Sequence, residues 1–317
     1  MKILHPETFQ GNLKRKKYFE GWYYKIVSGS DVYAFIPGLA LGKDSHAFIQ
    51  IIDGKSHDTA YIRFPIEEFN CKPGSLDLRI GNNRFTGDGL SFDEQRDSIS
   101  LQGKLTFTGI TPYPVTPSSP GIMGIFGYLP LMECYHGVVS VDHKVEGELI
   151  WNGKTITVNQ GRGYIEKDWG RSMPSSWIWM QSNIFKTVGT SFMLSIARIP
   201  FLGSSFKGHL GFFYHQNIFY PFATYNGSRY TITEDSINHR LQIKLENRKN
   251  ILEISTPDLL SGGELMAPVE GGMERRIREQ TNASIHIRLL SRDGECIFEE
   301  TGESCGLEIT GKMAELI

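Results

Sequence analysis

The sequence predicts an all-β protein built as two antiparallel β-barrels or sandwiches, and three observations carry that reading. Short runs of β-branched and aromatic residues recur along the whole chain, divided by clusters of Gly, Pro, Asn and Asp. Asn-Gly and Asp-Gly pairs, in Trp151-Asn152-Gly153-Lys154 and Arg292-Asp293-Gly294-Glu295, have the chemistry of tight hairpin turns. No segment carries a long helical period. Composition agrees, because 34 Gly and 12% aromatic residues suit many short strands better than long helices. At 317 residues, 40% of them apolar and 21% charged, the chain has enough apolar surface to exclude disorder and enough length for two ordinary domains.

In chain order, the first strand candidates are residues 20–27, 32–36, 46–52, 61–65, 77–80, 98–107 and 138–141. A second set lies at 146–151, 154–158, 177–185, 191–199, 209–216, 230–233, 240–245, 251–255, 284–290 and 306–310. An internal echo links the two sets. An aromatic strand, Gly21-Trp22-Tyr23-Tyr24-Lys25 or Trp177-Ile178-Trp179-Met180-Gln181, precedes a strand ending in Ile36-Pro37 or Ile199-Pro200. Each Ile-Pro then leads through a Gly-containing link to another aromatic strand, around Phe48 or around Phe212 and Tyr214. Two domains of one kind follow, placed at 1–145 and 146–317.

The stretch from Ile110 to Met132 has no charged residue, yet Pro112, Pro114, Pro117, Pro120 and Pro130 exclude a spanning helix. It reads either as a connection packed on the barrels or as an apolar element that governs access of an apolar substrate, as a flap over a pocket or as a shallow peripheral contact with a bilayer. A net charge of −2 supplies no global field for nucleic acid, so none is expected as a partner. The N-terminus has no apolar stretch of signal length, and Cys71, Cys134, Cys296 and Cys305 show no paired spacing. These features lead to the expectation of a cytoplasmic protein with reduced thiols and no zinc.

Metalloprotease, dinucleotide, phosphate-loop and nucleophile-elbow patterns are missing, and no metal or organic cofactor is expected. Among nine scattered histidines, His136 and His143, or His209 and His215, could meet across a hairpin, although a lone strand His is more often structural. Two runs set titratable groups among rings. In Phe19-Glu20-Gly21-Trp22-Tyr23-Tyr24-Lys25, a period of two puts Glu20, Trp22 and Tyr24 on one face. In Tyr164-Ile165-Glu166-Lys167-Asp168-Trp169-Gly170, an acid, a base and a second acid lie between aromatics. The strand that follows puts Trp177, Trp179, Gln181, Asn183 and Phe185 on one face, an aromatic wall with two amides that is expected to face inward. Two readings stay open: a ligand wall beside an acid, or tryptophans in the core above a buried ion-pair network.

At these residues, and at Leu265-Met266-Ala267-Pro268 and Gly306-Leu307-Glu308-Ile309-Thr310-Gly311, the sequence resembles the tocopherol cyclase family over nearly its whole length. The resemblance implies paired lipocalin-like barrels and cofactor-free closure of a chromanol-type ring on a prenylated hydroquinone. In that reaction an alkene is protonated and the phenol oxygen captures the cation. The resemblance makes Glu166 the first choice of proton donor, with Glu20 and Asp168 as competitors and Lys167 beside them. It also implies that Trp22, Tyr24, Trp169, Trp177 and Trp179 line the tail and cation site, while Gln181 and Asn183 hold the ring oxygen. The family pattern has Asn where this chain has Asp168, which sets Glu166 and Glu20 ahead of it. A non-catalytic carrier of an apolar isoprenoid or quinone, and an alkene hydratase, are the alternatives.

Overall fold

A computed structural model describes residues 2–96, 98–130, 132–201, 203–235, 240–256 and 262–317. These residues form strands, turns and short 3-10 turns, with no α-helix among them. Among them, no helix is long and apolar enough to cross a membrane. The first eleven strands are β1 (Tyr18–Ser28), β2 (Asp31–Leu41), β3 (His46–Asp53), β4 (Thr59–Pro65), β5 (Phe69–Cys71), β6 (Asp77–Ile80), β7 (Asn83–Thr86), β8 (Gly89–Arg96), β9 (Ile99–Pro112), β10 (Cys134–Trp151) and β11 (Lys154–Gly170). They make one antiparallel sheet in the order β4-β3-β2-β1-β11-β10-β9-β8-β7-β6-β5.

The remaining strands are β12 (Trp177–Ser182), β13 (Ser191–Phe201), β14 (Ser204–His215), β15 (Ile218–Ala223), β16 (Arg229–Asp235), β17 (Arg240–Glu246), β18 (Asn250–Ser255), β19 (Gly263–Val269), β20 (Gly272–Ser291) and β21 (Cys296–Thr310). Their sheet runs β15-β14-β13-β12-β21-β20-β18-β17-β16, with β19 also on β20. The internal echo of the sequence therefore has a topological counterpart. The successive hairpins β1 to β4 and β12 to β15 each fan out from their first strand, which is closed on its other side by a late long strand, β11 or β21.

The compact units are Met1–Met173 with Leu265–Arg276, and Pro174–Glu264 with Ile277–Ile317. Residue 145, where the sequence reading placed the division, lies inside β10, opposite Gly161 of β11 on one side and Phe107 of β9 on the other. The reason is the long hairpin of β10 and β11. Asn152 and Gly153, at φ 49° and 80°, adopt the left-handed conformations of a primed two-residue turn, so the chain folds straight back and stays in the first sheet until Gly170.

Each unit has its own core. In the first, Tyr24, Phe35, Ile49, Phe85, Leu105 and Leu149 belong to one buried cluster; in the second, Ile178, Met180, Phe192, Phe213, Ile243 and Leu289 do. Burial of a side chain of this size contributes roughly 1.5 to 3 kcal/mol. From Ile110 onward, β9 ends at Pro112 and the chain becomes irregular. Tyr113, Ile122, Met123 and Met132 are buried, and a 3-10 turn spans Gly124–Tyr128. Leu131 lies outside the described residues.

Candidate active site

The pairing of β1 with β11 sorts the predicted site residues onto two opposite faces. Glu20 stands opposite Trp169, Trp22 opposite Lys167, and Tyr24 opposite Ile165. Trp22, Tyr24 and Ile165 belong to the first core, so this is the inner face, and Glu20, Trp22 and Tyr24 share it as the alternation predicted. Glu20 and Lys167 are fully buried there and pair at 2.5 Å. The Glu20 carboxylate also accepts from the Gln10 N–H (2.8 Å), the Gly11 N–H (3.0 Å) and the Tyr18 hydroxyl. The Lys167 ammonium donates to the Pro6 carbonyl (2.9 Å) and to that of Thr8, and lies 4.6 Å from the Trp22 ring and 4.9 Å from the Trp169 ring. Burial pushes the Lys167 ammonium below its ordinary pKa against the opposing pull of Glu20. All three ammonium protons have acceptors, and the Trp22 indole holds the Glu7 carbonyl at 2.9 Å. The network therefore ties residues 6–11 to the inner sheet.

On the other face, Gly21 stands opposite Asp168, Tyr23 opposite Glu166, and Lys25 opposite Tyr164. Strand β10 adds His136 opposite Asp168 and Val138 opposite Glu166. His136 Nδ1 lies 2.7 Å from Asp168 Oδ1, and Nε2 lies 3.3 Å from Glu166 Oε2. The Tyr164 hydroxyl donates to Glu166 Oε2 at 2.7 Å. Burial disfavours the imidazolium, but the two carboxylates outweigh it and raise the His136 pKa well above the ordinary histidine value. Burial and the Glu166 charge raise the Tyr164 hydroxyl, which keeps it a neutral donor. The Nε2 contact with Glu166 falls short of a well-formed hydrogen bond, so the proton on this nitrogen is held by charge more than by alignment.

His136, Glu166 and Asp168 each present one ligand atom within 4.8 Å of the others, which is metal-binding spacing. The imidazolium already supplies a positive charge between the carboxylates, so the cluster is balanced to within one charge by a proton alone.

Beside this cluster two glycines lie on the same face of the sheet. Along one row, Phe48, Gly38, Gly21, Asp168 and His136 are successive cross-strand neighbours. A side chain at Gly38 would meet the Phe48 ring at 2.5 Å, and one at Gly21 would lie 4.0 Å from it. The two glycines thus admit the Phe48 ring over the sheet, on the same face as Asp168. In the next row Tyr23 stands beside Glu166. The face therefore combines the Phe48 and Tyr23 rings, two glycines beneath Phe48, and a protonated imidazole between two carboxylates.

Strand β12 differs from the expectation of an inward wall. Ile178 and Met180 enter the second core, so Trp177, Trp179 and Gln181 point to the reverse face of their sheet, where they are nevertheless buried. The Trp177 indole donates to Glu308 at 2.6 Å, and Gln181 donates to Asn183 at 3.4 Å. Both faces of β12 are covered, which is why alternation of apolar and polar residues did not show which one is the core.

A family model described as tocopherol cyclase-like matches residues 93–311, more than half of the chain. The chain belongs to the tocopherol cyclase-like family. A chloroplastic tocopherol cyclase of Zea mays is 24% identical over 199 residues, spanning 59% of this chain and 41% of the maize protein. The chain thus matches about two-fifths of that curated relative's length. Among solved structures, CghA, crystallised with Sch210972, superposes over 93% of this chain and 89% of its own, with a TM-score of 0.59 and 10% identity. A Nitrosomonas europaea protein described as AttH covers 92% of both chains, with a TM-score of 0.53 and 13% identity. Such low identities show a shared fold.

The tocopherol cyclase-like match takes in His136, Glu166, Lys167, Asp168, Trp169, Trp177, Trp179, Gln181 and Asn183, and begins after Glu20, Trp22 and Tyr24. His136 is the group that the sequence-based site set lacks. Its signal is the register of β10 on β11, which joins residues 32 positions apart.

The second histidine of β10, His143, points into the first core against the Phe107 ring (4.6 Å), with Nδ1 2.9 Å from Ser140 Oγ. Burial pushes its pKa down to about 3. Because the folded value lies below the unfolded one, the unfolded chain takes up a proton below about pH 6.5 that the folded chain refuses, and stability falls with pH. From pH 6.5 to 5 this one group is expected to remove about 2 kcal/mol. Urea unfolding of wild type and His143→Gln at both pH values checks it: the variant should lose less on acidification by that amount, and equal losses would exclude the effect.

Proposed function

We propose that this tocopherol cyclase-like chain closes a chromanol-type ring on a prenylated hydroquinone without a cofactor. The observation that supports this reading is His136 held between Asp168 and Glu166, on a face carrying Phe48 and Tyr23. Protonating an alkene needs an acid without competing water, and the cation formed is favoured by ring faces worth roughly 0.5 to 2 kcal/mol each. In the proposed cycle the proton on His136 Nε2 passes to Glu166 Oε2, and Glu166 delivers it to the less substituted alkene carbon. A C–H bond forms and the π bond breaks, leaving a tertiary cation. The phenol oxygen closes on that carbon, and its proton returns to Glu166 and then to His136. Atoms and charge balance, and the product is an isomer of the substrate. Asp168 fixes the imidazole through Nδ1, and Tyr164 orients Glu166.

In this reading Glu20 and Lys167 are structural rather than catalytic: their hydrogen-bonding capacity is spent on residues 6–11 and on each other. Trp22, Tyr24 and Trp169 support that inner network and the core. The reading rests on residues of the first unit alone and needs nothing from Trp177, Trp179, Gln181 or Asn183.

Incubation with a prenylated hydroquinone and mass analysis of the products tests it. A cyclised isomer of unchanged mass is expected, with turnover unaffected by a chelator. A product heavier by one water would make the chain a hydratase, and recovery of bound but unaltered quinol would make it a carrier. Stoichiometric metal whose removal abolishes turnover would replace the shared proton with a metal centre at His136, Glu166 and Asp168.

A further inference from the structure

The uncharged stretch ends in a surface whose features the chemistry above leaves unused. Ile125 is 56% exposed, Tyr128 43% and Leu129 37%, all within or next to the single 3-10 turn Gly124–Tyr128. Large apolar groups at this exposure, side by side on one turn, are a site for something that covers them. The turn is held firmly: Tyr128 donates from its hydroxyl to the Pro117 carbonyl at 2.6 Å, and backbone bonds link Phe126 to Met123 and Leu129 to Phe126. These bonds hold the turn while Ile125, Tyr128 and Leu129 stay exposed.

The N-terminal segment lies along this turn. Ile3 comes within 3.4 Å of the place a side chain on Gly127 would take, and Pro6 within 3.7 Å of the same point at Gly121. The Tyr135 hydroxyl donates to the Leu129 carbonyl at 2.8 Å, and the Arg15 guanidinium is near enough to act electrostatically on that hydroxyl. Arg15 also sits over the Tyr18 ring at 4.9 Å, which fixes its guanidinium at the start of β1. Leu13, at the head of that run, is 50% exposed. Lys17 is matched by Glu270 at 2.7 Å, whereas Lys14, Arg15 and Lys16 make no ion pair among the described residues. Lys14, Arg15 and Lys16 are thus exposed and unmatched, with Arg15 linked through Tyr135 to the end of the apolar turn, on a chain whose net charge is only −2.

We propose that Leu13 to Lys16 and Ile125 to Leu129 form one docking surface for an anionic lipid bilayer. The apolar side chains enter the boundary between headgroups and acyl chains while Lys14, Arg15 and Lys16 lie against the phosphates. A protein partner would have to bury these three cations, whereas a bilayer surface leaves them in water beside mobile counter-charges.

Vesicle sedimentation tests this with two preparations, phosphatidylcholine alone and phosphatidylcholine mixed with phosphatidylglycerol. Binding is expected to the mixed vesicles and not to the neutral ones, and is expected to be released by high salt. Replacing Lys14, Arg15 and Lys16 together by Gln should lower partitioning on the order of 100-fold, about fivefold per charge. Ile125→Ser with Leu129→Ser should lower it on the order of 10-fold. Both variants change exposed side chains, and unchanged far-ultraviolet circular dichroism will show that they fold. The proposal is overturned by absent binding, by equal binding to neutral vesicles, or by wild-type partitioning of either variant. Self-association abolished by the serine substitutions, without vesicle binding, would assign the apolar turn to a second copy of the chain instead.

Discussion

Replacing His136 with Gln is expected to slow ring closure by about 100- to 10,000-fold, the usual cost of losing a group that carries the transferred proton. Ligand binding should survive, because the rings are untouched. The substitution removes the one positive charge between Glu166 and Asp168, so two carboxylates face each other without the proton they shared. The pH dependence has a definite sign. With the folded pKa of His136 raised above 6.5, the protonated, active form holds at neutral pH and below, and activity falls on the alkaline side as pH rises through the raised value. The stability contributed by the imidazolium follows the same course: it is complete below the unfolded pKa and lost through the same alkaline window. A pH-rate profile of wild type and variant checks both parts. A variant with the wild-type rate and the same alkaline limb would remove His136 from the mechanism.

The second large effect is on stability. Lys167→Met strands the Glu20 carboxylate in the inner sheet, where it is fully buried, and breaking a buried pair in this way costs about 3 to 5 kcal/mol. The carbonyls of Pro6 and Thr8 also lose their donor, so residues 6–11 are expected to become accessible to protease well below the unfolding transition. Urea unfolding and limited proteolysis measure the two parts. Adding Glu20→Gln should recover part of the loss, since the double variant leaves no unpaired charge. A loss below about 1 kcal/mol would place the pair with screened surface ion pairs and contradict the structural role assigned to it.

Much of the fold could be read from the chain because its evidence is local. Turn pairs such as Asn152-Gly153 and the repeated order of aromatic strand, Ile-Pro strand and Gly link depend on neighbours in sequence, and the two sheets reproduce that order. Glu166 and Asp168 were legible as candidates for the same reason. Their separation from Lys167 follows from strand alternation and needed only the knowledge that residues 164–169 lie within one strand. His136 was not legible, since its role comes from a pairing between distant segments that composition and period do not encode. Nor was the orientation of Trp177 and Trp179: buried strands with both faces covered lose the polar alternation that marks an outside. The division between units moved from residue 145 to Met173 because the length of the β10 and β11 hairpin is set by pairing along both of its edges.

The central claim is that proton transfer to carbon occurs at the Glu166 and His136 face and not at the Glu20 and Lys167 face. The direct measurement is solvent deuterium incorporated at the protonated carbon of a prenylated hydroquinone, compared in wild type, Glu166→Gln and Glu20→Gln at equal ligand occupancy. We predict one deuterium per product in wild type, a loss of about 100-fold or more in its rate of incorporation in Glu166→Gln, and a rate per folded molecule near wild type in Glu20→Gln. Full incorporation in Glu166→Gln together with its loss in Glu20→Gln would contradict the account.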